Sequence, residues 1–181
     1  MKNLISILLT VCLSCFLFGG NLHAEEITLD HTKIKVFYSP KGGCTDAVVK
    51  EINAAKNEIL VQGYSFTSQD IAKALVDAFK RHIKIQVLLD KSQRTEKYSS
   101  ASFVANAGIP TYIDAKHSIA HNKIIIIDKS TVITGSFNFT KAAEEHNAEN
   151  ILIIPSKALA ASYLDNWEKH KNHSEKYNSR Y

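Results

Sequence analysis

One short stretch carries more chemistry than the rest of the chain: His121-Asn122-Lys123, four isoleucines, Asp128, six further residues, then Gly135-Ser136-Phe137-Asn138. The β-branched run predicts a strand, in which alternate side chains share a face. The imidazole of His121 and the ammonium of Lys123 then project side by side, with Asn122 pointing away. A histidine can attack phosphorus or move a proton at a phosphoester oxygen. A lysine beside it supplies the positive charge that the phosphate needs as charge builds in the transition state. If the chain stays extended past Gly135, Ser136 and Asn138 share a face and can donate hydrogen bonds to the same oxygens. Gly135 would allow a close backbone approach there.

Asp128 has a different role. It follows Lys123 by five residues, roughly 17 Å along an extended strand, and opens the turn Asp128-Lys129-Ser130. It is expected to secure a hairpin and not to touch phosphate. Metal chemistry is the main rival, because His117, His121, His146, His170 and His173 are all available. Their spacing argues against it: His170-x2-His173 falls in a polar tail expected to fray after Lys169, and no compact set has zinc spacing. No metal and no other cofactor is expected.

The order H-x-K-x4-D-x6-G-S-x-N resembles the signature of the phospholipase D superfamily, complete in residue type and spacing. The resemblance extends to Tyr64-Ser65-Phe66-Thr67, Leu88-Leu89-Asp90 and Ala148-Glu149-Asn150, and is strongest toward the small bacterial endonucleases that carry one motif per chain. Arg81-His82-Ile83 departs from it, since relatives often place a glycine in that turn.

The resemblance implies a metal-independent phosphodiesterase in which His121 attacks phosphorus to form a covalent phosphohistidine that water resolves. Lys123, Ser136 and Asn138 would hold the nonbridging oxygens. Glu149, eleven residues past Asn138, would hydrogen-bond the imidazole and fix its tautomer. The superfamily's chemistry takes two motifs and this chain has one. A homodimer with the active site shared across its two-fold axis supplies the second. The alternative is a monomer borrowing His117 or His146, neither of which has a lysine two residues on.

Residues 1–24 read as an export signal: Lys2, an apolar run from Leu4 to Phe18, and Leu22-His23-Ala24 at the cut. The destination is then periplasmic or extracellular. Residues 25–181 are enough for one catalytic domain with a sizeable core. Lys2 is the only charged residue of the signal, so the exported part keeps 21 basic residues against 18 acidic ones, a balance of +3. That mild excess favours a polyanion or an acidic membrane surface. Cys44 is the only cysteine beyond the signal and is expected to be buried.

The elements that must position the site follow from periodicity. Strands are expected over 34–38, 58–64, 84–90, 111–113, 122–127, 131–134 and 149–154. Helices are expected from Thr45, over 69–80, over 95–107, and from Ser156 with Leu159, Tyr163, Leu164 and Trp167 inward. This pattern predicts an α/β fold, a mixed sheet flanked by helices on both faces, in agreement with the fold that the resemblance implies.

The substrate stays open between two readings. A nucleic acid, DNA or RNA, is favoured by Lys91, Arg94, Lys97, Lys116 and Lys141 in loops or helix starts, and by the lack of a clear exposed apolar loop. A phospholipid head group is the alternative.

Overall fold

The structure, a computed structural model, describes residues 25–29 and 32–179. The export signal read at residues 1–24 lies outside the described residues. The chain order is β1 (Lys35–Tyr38), α1 (Cys44–Ala54), β2 (Glu58–Gly63), α2 (Gln69–Lys80), β3 (Lys84–Asp90), α3 (Ala101–Asn106), β4 (Thr111–Asp114), β5 (Lys123–Ile127), β6 (Thr131–Gly135), α4 (Lys141–Glu145), β7 (Asn150–Pro155), α5 (Lys157–Asn172) and β8 (Glu175–Lys176). The strands form one sheet in the order β1-β7-β6-β5-β2-β3-β4-β8. Pairing is parallel from β2 through β3 to β4 and antiparallel elsewhere.

Both faces of the sheet are covered. Val48 and Ile52 of α1 and Ile71 and Leu75 of α2 pack on one face with Ile59, Val61, Ile125 and Ile133. On the other, Ala160 and Trp167 of α5 meet Leu60, Leu88, Ile124 and Ile126. The buried Trp167 ring also donates through Nε1 to Val61 O at 3.1 Å, fixing α5 across the sheet. Cys44 is buried at the start of α1, where burial, helped by the charge of Glu144, pushes its thiol up to about 11. No helix of the described residues is long and apolar enough to cross a membrane.

Local differences from the sequence reading have identifiable causes. Thr45 does not cap α1; its N–H donates to Glu144 Oε2 at 2.7 Å, and Gly43 N–H to Glu144 Oε1 at 3.0 Å, so the cap is a carboxylate about a hundred residues away. The helix expected over 95–107 shrinks to Ala101–Asn106. A 3-10 turn at Lys91–Arg94 precedes it, started by the Asp90 carboxylate accepting from Ser92 N–H. In the turn after α2, His82 takes the left-handed conformation that a glycine would adopt freely, with φ 67. The tail does not fray at Lys169: α5 continues to Asn172 and β8 pairs with β4.

The β5–β6 hairpin turns through Asp128 (φ 51) and Lys129 (φ 52), with Ser130 N–H donating to Ile127 O at 3.0 Å. Two left-handed central residues match the mirror-image turns that suit the twist of a hairpin. The Asp128 carboxylate accepts from the backbone N–H groups of Lys56, Asn57 and Glu58 at 2.7–2.9 Å. It therefore fastens the turn to the start of β2. Burial alone would raise its pKa, but these backbone donors, Glu58 first, outweigh it and hold the carboxyl below its usual value.

Asp128→Ala should cost about 2 kcal/mol through the orphaned donors, a drop of roughly 4–8 °C in melting temperature. Because the folded pKa is depressed, Asp128 stabilises the fold fully above the unfolded value of about 4, and that stabilisation is lost as pH falls through the folded value. Melts of both proteins from pH 7 to pH 3 should show the gap closing in acid; a gap independent of pH would exclude this role.

Candidate active site

The residues singled out for chemistry meet at one end of the sheet, where β2 and β6 finish and β5 and β7 begin. Lys123 opens β5 opposite Gly63, the last residue of β2. Ile124 pairs with Thr134, so Gly135 comes next to Lys123 at the end of β6. Gly135 in turn pairs with Ile151 of β7, and a Cβ at Gly135 would lie 2.2 Å from Asn150 O. Only a glycine permits that approach. Asp128 sits at the opposite end of β5, away from this group.

His121 precedes β5 and is exposed. Its ring packs against Tyr64 at a tilt of 57°, with centroids 4.5 Å apart, and among the described residues the imidazole makes no hydrogen bond. Lys123 is only 7% exposed. Its Nζ donates to His121 O at 3.0 Å and stands 5.1 Å from the centre of the same Tyr64 ring. Burial lowers the pKa of this ammonium, and the charge of Glu149 partly restores it. Tyr64 thus bridges the two groups, by a tilted ring contact on one side and a cation–π contact on the other. Its role was not legible from spacing, because it depends on the antiparallel contact of the β2 end with the β5 start, where Tyr64 N–H donates to Asn122 O at 2.8 Å.

Past β6 the chain alternates as expected: Phe137 is buried, between Ser136 and Asn138. Ser136 Oγ accepts from Asn150 N–H at 3.1 Å, which leaves its own proton free to donate. The side-chain oxygen of Asn138 is buried without a hydrogen-bond partner. That oxygen is an acceptor, so only the amide nitrogen of Asn138 could donate to a phosphate.

Glu149 is held by its backbone, with Ser39 N–H donating to Glu149 O at 3.0 Å and Glu149 N–H donating to Ser39 Oγ at 3.1 Å. Its carboxylate accepts from Asn147 Nδ2 at 3.2 Å and not from His121. The expected glutamate–imidazole hydrogen bond is therefore absent within one chain. A cleft of about 570 Å³ borders this end of the sheet, lined by His121, Asn122, Lys123, Gly135 and, from α5, Asn166 and Lys169.

Three other expectations change. Lys91 donates to His117 O, Arg94 pairs with Glu175, and Lys141 lies 3.4 Å from Glu145, so these cations are partly committed within the chain. Lys169, expected only as the point where the tail begins to fray, lines the cleft instead. An apolar side chain does stand beside the site, since Ile119, two residues before His121, is 57% exposed. Finally, the histidines of the tail are not dispersed: His117, His170 and His173 gather around Asp114 as a compact set among the described residues.

The family model described as cardiolipin synthase, PLD-like domain matches residues 48–171. A phospholipase D of Rickettsia conorii is 43% identical over 149 residues, which is 82% of this chain and 74% of that protein. The crystal structure of Nuc from Salmonella typhimurium, a phospholipase D family member, matches with a TM-score of 0.79 and 42% identity over 82% of this chain and 99% of that one. NucT from Helicobacter pylori, at 23% identity and a TM-score of 0.74, shares the fold over 81% of this chain and 99% of its own. With His121, Lys123 and Gly135 of the motif brought to one end of the sheet, the chain belongs to the phospholipase D superfamily and is a hydrolase of phosphodiester bonds.

Proposed function

We propose that the protein cleaves nucleic acid without base preference, through a covalent phosphohistidine on His121. The observation that carries this reading is an exposed imidazole with no hydrogen bond among the described residues, sharing the Tyr64 ring with the desolvated ammonium of Lys123. His121 attacks phosphorus, and a phosphorus–nitrogen bond forms as the bond to the leaving oxygen breaks. A second histidine protonates that oxygen, then takes a proton from the water that displaces His121 and releases the phosphate. Lys123 and the donors of Ser136 and Asn138 neutralise the nonbridging oxygens, which is the charge compensation a divalent ion provides elsewhere. No cofactor takes part in these steps.

The second histidine comes from a second copy of the chain. His117 is committed to Asp114 and His146 lies beside Glu145, so neither is poised opposite His121. A two-fold axis through the site would bring two copies of His121 to opposite sides of one phosphate. Glu149, with no bond to the imidazole of its own chain, is also free for the shared site. Sedimentation should give twice the mass of the chain, and a fully active monomer would rule out the shared site.

Nucleic acid is favoured over lipid by the excess of basic residues over the chain, whereas in the cleft itself Lys123 and Lys169 are matched by Glu25 and Asp165. Head-group cleavage of a phospholipid is the second reading. It draws support from the exposed Ile119 beside His121 and from the name of the Rickettsia relative. Both readings place the same residues at the phosphorus. An exported location, periplasmic or extracellular, is proposed from residues 1–24 alone.

On a chromogenic phosphodiester, His121→Ala should lose turnover by at least roughly 1,000-fold and Lys123→Ala by roughly 100-fold. Because its ring is exposed, His121→Ala should melt like the wild type. Wild-type turnover from folded His121→Ala would overturn the assignment. Plasmid DNA and RNA should be cut in the presence of chelator, with rates falling steeply as salt is added. Release of choline from phosphatidylcholine vesicles, with DNA and RNA untouched, would establish the second reading.

A further inference from the structure

Asp114 ends β4 with its side chain fully buried, and three imidazoles point at it. Its Oδ2 lies 2.9 Å from His117 Nδ1, 2.8 Å from His170 Nδ1 and 3.3 Å from His173 Nε2. The four ligand atoms lie within 4.8 Å of one another. A tetrahedral zinc ion with ligands at about 2.0–2.1 Å has ligand–ligand edges of about 3.3 Å. The distances to Oδ2 already have that scale.

The pattern also has the economy of a metal site. Asp114-x2-His117 and His170-x2-His173 are two closely spaced pairs, one running from the end of β4 into the turn after it and one across the C-terminal end of α5. They are brought together by most of the intervening fold. In the first pair the turn is already set, because Lys116 N–H donates to Asp114 Oδ1 at 3.1 Å.

Hydrogen bonds account for only part of the cluster. His117 Nδ1 reaches both oxygens of Asp114 and His170 Nδ1 reaches Oδ2, but His173 Nε2 is buried with no hydrogen-bond partner.

We propose that Asp114, His117, His170 and His173 bind one divalent transition-metal ion, with zinc as the fitting ion. Three imidazoles and one carboxylate suit that class and do not suit calcium or magnesium, which take oxygen ligands. Four protein ligands close a tetrahedral shell and leave no position for substrate, so the ion is structural and takes no part in the phosphodiester reaction. It would tie the end of α5 to the segment that leads to His121. That segment is held further along by Asp90 Oδ2, which accepts from Ala120 N–H at 2.7 Å. The site stands apart from the reading of His121 and Lys123, and its test does not use activity.

The purified protein, free of any histidine tag and stripped with chelator, is titrated with zinc by calorimetry and melted with and without it. One ion should bind per chain. At a hundredfold excess over the dissociation constant the melting temperature should rise by roughly 5–10 °C. His170→Ala should lose the stoichiometric binding. If that variant does not fold, His117→Ala, whose ring is the more exposed, serves in its place. Cobalt(II) added to the stripped wild type should show the visible absorption of tetrahedral coordination, lost in either variant. No stoichiometric zinc binding to the wild type, or binding unchanged in a folded variant, would overturn the proposal.

Discussion

The register of β5 between β2 and β6 is the constraint on which the site depends. A slip of one residue would send His121 and Lys123 to the wrong face. Four consecutive isoleucines do little to prevent it, because Ile124–Ile127 are all buried and either face of the sheet is apolar. The information lies at the two ends of the strand. At one, Asp128 and Lys129 make a mirror-image turn whose carboxylate is bound by three N–H groups at the start of β2. At the other, Gly63 and Gly135 flank Lys123, and Gly135 admits the backbone of Asn150 to a distance that no side chain would tolerate. The aspartate of the motif thus fixes, from the far end of the strand, where the histidine and lysine emerge.

The electrostatics follow from that placement. Lys123 lies near the apolar interior, where its charge is poorly solvated and its pKa is lowered, with Glu149 as partial compensation. Such an ammonium gains more from an arriving phosphate than a solvated lysine would, because much of its desolvation has already occurred in the fold. Ser136 has a proton left to donate, because its Oγ accepts from Asn150 N–H.

Much of this was legible in the sequence. The strand 84–90 and the helix 69–80 appear at the residues expected, since Ser68 caps the helix and its apolar positions recur at helical spacing. The mixed sheet with helices on both faces was also legible, as was the family. What escaped was whatever depends on distant pairing. Glu144 caps α1 from another element, and Tyr64 reaches the site through the β2–β5 contact. His170 and His173 read as solvated tail because no local pattern shows that α5 delivers them to Asp114. The exposure of Ile119 was hidden for a similar reason, since a lone isoleucine in a loop has no periodicity to place it.

The central claim is that His121 becomes covalently bonded to phosphorus during turnover. It is tested most directly by mixing excess enzyme with a short phosphodiester substrate, denaturing in alkali within one turnover, and mapping the modified peptide by mass spectrometry. Alkali is chosen because the phosphorus–nitrogen bond is labile to acid. The account predicts a substrate-derived phosphoryl group on His121, appearing and then decaying as product forms. Full single-turnover cleavage with His121 unmodified throughout, or with the adduct on another residue, would contradict it.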